Sequence, residues 1–75
     1  MAGELLDIGF RPKLVARFDP PDAKARFRAW QEVNADALAE VPAEALRVEY
    51  GRTGNGLYVR VRIDESQLPA ALNSP

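Results

Sequence analysis

The chain contains neither cysteine nor histidine. The first absence excludes a disulfide scaffold, and the two together exclude a zinc site of the usual thiolate and imidazole kind. They also remove the common nucleophile–base pairs, leaving Ser66 and Ser74 near the end of the chain without an evident partner. The carboxylates Asp64 and Glu65 are adjacent, a poor arrangement for two acids flanking a substrate. No loop has the spacing of an all-oxygen magnesium or calcium site. These absences predict a protein that is not an enzyme and carries no cofactor or metal.

Long apolar runs are missing too. Nothing approaches the ~20 residues of a membrane span. The opening MAGELLDIGF lacks the basic and apolar regions of a signal peptide. A cytoplasmic protein with no membrane partner is the expectation. No excess of one charge exists either: 10 basic and 11 acidic residues give a net −1, which argues against a uniformly basic nucleic-acid binder.

What is present is a compact alternating pattern. At 75 residues with 47% hydrophobic content, the chain suits one small domain, near the size where a single core only just outweighs chain entropy. The stretch 46–63 reads LRVEY, GRTGNG, LYVRVRI, two period-two runs about a glycine-rich turn, and so a β-hairpin. Leu46, Val48 and Tyr50 share one face with Leu57, Val59, Val61 and Ile63 if Tyr50 stands opposite Leu57. The turn is neither GxxxxGK[ST] nor GxGxxG and joins strand to strand, so it is read as structural, with Asn55-Gly56 taking positive φ.

Upstream, Lys13 to Phe18 reads as a strand, with Pro12 unable to donate a ladder bond. Leu14, Ala16 and Phe18 take the core side, and Lys13, Val15 and Arg17 the other. Asp19-Pro20-Pro21-Asp22 signals a helix start, with Asp19 as N-cap and Pro20 in the first turn. Ala23, Phe27, Trp30, Ala37, Leu38 and Val41 then form one helical stripe, Val33 lies at its margin, and Pro42 stops the run. Asn34 interrupts the stripe. One continuous helix is favoured over a kink at Asn34. The aromatic pair Phe27 and Trp30 is expected in the core, not on a ligand platform.

The predicted fold is a small α+β domain of order β-α-β-β: a three-stranded, mainly antiparallel sheet with one amphipathic helix packed on one face. The strand 57–63 is placed centrally; a parallel arrangement, with the first strand beside 46–50, is the second choice. Residues 1–9 and 73–75 are expected as a flexible arm and tail.

In this arrangement the uncovered sheet face carries Lys13, Val15, Arg17, Arg47, Glu49, Tyr58, Arg60 and Arg62, while Glu32, Asp36, Glu40 and Glu44 gather on or just after the later helix. Such segregation matters more than the near-zero total. The expected partner-binding set is Lys13, Arg17, Arg47, Tyr58, Arg60 and Arg62, with Arg52 added at the hairpin tip. A solvated outer face with cross-strand pairs explains the same pattern without a partner. The functional expectation is a non-catalytic module that binds a larger protein with an acidic surface. It would act as an inhibitor of the kind phages and mobile elements encode, or as an accessory or regulatory subunit. Nucleic-acid binding by the same face is the first alternative, though Tyr58 is the one aromatic there and sheet readers present two or three. Self-association, as a homodimer or structural subunit, is the second.

Overall fold

The computed structural model describes residues 11–72; the expected arm at 1–9 and tail at 73–75 lie outside them. Strand β1 (Pro12–Phe18) leads into helix α1 (Ala23–Val33) and a short helix α2 (Ala35–Leu38). A 3-10 turn, Ala43–Ala45, precedes β2 (Leu46–Thr53) and β3 (Gly56–Asp64), and 3-10 turns at Glu65–Gln67 and Ala70–Leu72 follow. The sheet order is β1-β3-β2, with both pairings antiparallel. This is the expected small α+β domain with 57–63 at its centre. The parallel alternative is excluded.

β3 is central because its alternate residues are the most apolar. Val59, Val61 and Ile63 are all but inaccessible to water. α1 packs on β3 and β1, and Ala23, Phe27, Val59 and Val61 form the core, flanked by Val15, Ala16, Phe18, Trp30, Leu46 and Val48. Phe18, Phe27 and Trp30 pack as a cluster with ring centroids 5.9–6.4 Å apart. Phe27 and Trp30 thus serve the core, as the helical stripe requires.

Four local expectations are corrected. The hairpin loop is two residues, Gly54 and Asn55, closed by Thr53 opposite Gly56. Tyr50 therefore faces Val59, two residues beyond Leu57. Because a shift of two preserves parity, the apolar faces still coincide. Gly56, at φ 126, takes the conformation that only glycine adopts cheaply.

β1 begins at Pro12 and carries an irregularity between Leu14 and Ala16. One extra residue there flips the start of the strand. Lys13 stands opposite Ile63 and Leu14 opposite Arg62, whereas Ala16 and Phe18 stand opposite Val61 and Val59. Val15 and Ala16 both pack against the core, and Leu14 is left 42% exposed.

The helix starts later than expected. Asp22, at φ 61 and ψ 29, is the N-cap and makes no side-chain cap bond. Asp19 instead accepts from Arg17 Nε at 3.2 Å. The carbonyls of the turn are held by Arg26, whose Nη2 donates to Asp19 O and to Pro21 O. The helix is also interrupted. Asn34 adopts φ −105 and ψ 19 between α1 and α2, and its Nδ2 donates to Trp30 O at 2.8 Å. Trp30 O also keeps the helical bond from Asn34 N at 3.0 Å, so the side chain shares that carbonyl, a back-bond of the kind that bends helices.

Candidate functional site

The face of the sheet opposite α1 is built by register. In an antiparallel pair, residues directly opposite share a face, so three rows cross the strands. Leu14, Arg62 and Arg47 form one row, and Arg17, Arg60 and Glu49 the next. Tyr58 and Gly51 form the third, at the hairpin end. Five of the seven residues expected to bind a partner are thereby gathered: Arg17, Arg47, Tyr58, Arg60 and Arg62.

Two are not. Lys13 belongs to the row of Ile63 on the helix side, because the irregularity in β1 reverses its parity. Arg52 is a strand residue opposite Leu57, not a tip residue, because the loop is shorter than expected. Its parity, too, is that of the helix side. In exchange the face gains Leu14, which the strict alternation had assigned to the core.

The remaining side chains are organised among themselves. Arg62 Nε donates to Glu49 Oε1 at 3.1 Å, a diagonal cross-strand pair. The guanidinium carbon of Arg60 lies 4.5 Å from the Tyr58 ring centroid, a cation–π distance. Arg60 Nε is buried and has no hydrogen-bond partner among the described residues. The far end of the Tyr58 ring occupies the space over Gly51: a Cβ at position 51 would lie 2.2 Å from Cζ and Oη. Gly51 is thus an unforeseen member of the site. Its signal in the sequence is a glycine at the outward-facing strand position opposite Tyr58.

The electrostatic layout follows. Among the described residues, four arginines stand against one glutamate on this face, while Glu32, Asp36, Glu40 and Glu44 are exposed elsewhere. Arg62 and Arg17 each hold a carboxylate, and such exposed pairs are weak. The two carboxylates offset part of the positive charge of the face.

Elsewhere, an open concavity of about 330 Å³ lies between the helix start and the hairpin tip. It is lined by Pro20, Pro21, Asp22, Lys24, Asn55 and Leu57, among others. No group of three or more potential metal ligands occurs among the described residues, and no described helix is long and apolar enough to cross a membrane. The chain matches no protein-family description, no curated protein and no solved structure with which it was compared.

Proposed function

We propose that the protein is a non-catalytic binding module whose outer sheet face docks on an acidic surface of a larger protein. It would modulate that partner as an inhibitor or an accessory subunit. The observation that carries this reading is the Tyr58–Arg60 stack over Gly51, set among Arg17, Arg47 and Arg62. Tyrosine and arginine are the residues that concentrate binding energy at protein interfaces. Here they are held in one geometry before any partner arrives, which lowers the ordering cost of association. Leu14, exposed beside Arg62, adds apolar surface to the same patch. A docking surface of this kind steers acidic partners more than it sets raw affinity.

The stack also favours a protein partner over nucleic acid. Tyr58 already receives Arg60 on its ring and lies against Gly51 at its hydroxyl end, which leaves less of the ring for stacking on a base.

The test is immobilised chain against nuclease-treated lysate, run beside the Arg60→Glu/Arg62→Glu variant. The expected result is a protein retained by the native chain and lost from the variant, with an unchanged circular dichroism spectrum for the latter. Equal retention by both removes the outer face as the docking surface. Short single- and double-stranded oligonucleotides, titrated with salt, test the alternative. Affinity that falls steeply with salt would indicate phosphate contacts.

A further inference from the structure

We infer that β2 is a self-pairing edge: it adds, antiparallel, to β2 of a second copy about a two-fold axis through Val48, joining two sheets into one. This does not depend on the outer face being a docking surface.

The two edges of the sheet differ. β1 begins with Pro12 and carries an irregularity at Val15, both devices that discourage strand addition. β2 runs Leu46–Thr53 without proline or bulge, and among the described residues only β3 pairs with it. The hairpin closes on Thr53 and Gly56. Because antiparallel ladders alternate, the backbone groups of Leu46, Val48, Tyr50 and Arg52 point away from β3. The helix is packed on β3 and β1, and Tyr50, on the helix side of β2, remains 55% exposed.

Side-chain chemistry then selects the register. With Val48 opposite its own copy, Leu46 faces Tyr50 and Arg47 faces Glu49, each twice by symmetry. The apolar residues join on the helix side and opposite charges meet on the outer side. Arg47 and Glu49 fall at the closer, non-hydrogen-bonded positions, where side chains interact most. Centring the axis on Glu49 sets glutamate against glutamate, and centring it on Arg47 sets arginine against arginine. A centre on Tyr50 places Val48 against Arg52. Of these four centres Val48 alone satisfies both faces, and the charge pattern Arg-Val-Glu is self-complementary in that register alone.

The experiment is light scattering coupled to size exclusion across a concentration series of the full chain, native and charge-reversed. The native chain is expected to form a dimer that dissociates on dilution. Arg47→Glu and Glu49→Arg each set like charges opposite, the second also removing the carboxylate that Arg62 of the same chain holds, and each should weaken the dimer by roughly tenfold or more. Mixed together, the two variants should recover it as a heterodimer, because one chain then presents acids where the other presents bases. The double variant Arg47→Glu/Glu49→Arg preserves complementarity and should dimerise by itself, which decides the matter if either single variant folds poorly. A native chain that is monomeric throughout overturns the inference. So does a dimer indifferent to either reversal, or a mixture and double variant that both stay monomeric.

Discussion

Replacing Gly51 by alanine should destabilise this protein, against the ordinary preference of strands. Glycine inside a strand costs roughly 0.5–1 kcal/mol relative to alanine, and Gly51 is not among the residues with positive φ. On backbone grounds alone the substitution should therefore help. The new Cβ, however, would stand 2.2 Å from Tyr58 Cζ and Oη, and the ring must swing aside. Displacing a side chain from its rotamer costs about 0.5–1.5 kcal/mol. Losing the Arg60 contact costs a further ~0.5–1 kcal/mol. Set against the backbone gain, the net loss is about 1 kcal/mol, or a fall in Tm of roughly 4–8 °C for a domain of this size. The discriminating assay is a double-mutant cycle by urea denaturation. In a Tyr58→Ala background the obstacle is gone, and Gly51→Ala should become stabilising by about 0.5 kcal/mol, a coupling near 1.5 kcal/mol. If Gly51→Ala stabilises the native chain as much as the Tyr58→Ala chain, Tyr58 does not pack over Gly51.

Three other substitutions probe the framework. Val61→Ala removes side-chain volume from a residue only 1% exposed on the central strand and should cost about 2 kcal/mol, seen as a lower urea midpoint with an unchanged slope. Asn34→Ala exchanges the back-bond to Trp30 O for the best helix former; helical ellipticity should rise as α1 and α2 merge, and an unchanged spectrum would show that Pro42 and the packing, not Asn34, set the break. Asp22→Gly relieves a left-handed conformation at φ 61 and should raise stability by up to about 1 kcal/mol, while Asp22→Val should lower it by at least as much.

Period-two alternation determines which face each residue of 46–63 occupies, because a slip by one would bury Arg60 and Arg62 in place of Val59, Val61 and Ile63. It does not distinguish registers two residues apart. That choice fell to the turn, where Gly54 and Asn55 alone form the loop and Gly56 supplies the positive φ. The shorter loop carried Arg52 out of the candidate site and brought Gly51 into it beneath Tyr58.

The first strand shows the same limit. Its alternation was sound from Ala16 to Phe18, which face Val61 and Val59. At Val15 and Ala16 the core accepts two neighbouring apolar residues at once. One irregularity achieves this by sending Leu14 outward and Lys13 to the helix side. The helix cap was likewise decided at a distance: Asp19 is taken by Arg17, and Arg26 reaches back to hold the turn carbonyls. By itself the sequence determined the α+β class, the central place of β3, the covered face and the segregation of charge, since each follows from local periodicity and burial. Only the tertiary structure decided which arginines share a surface, because bulges, loop lengths and capping bonds depend on groups that meet through space.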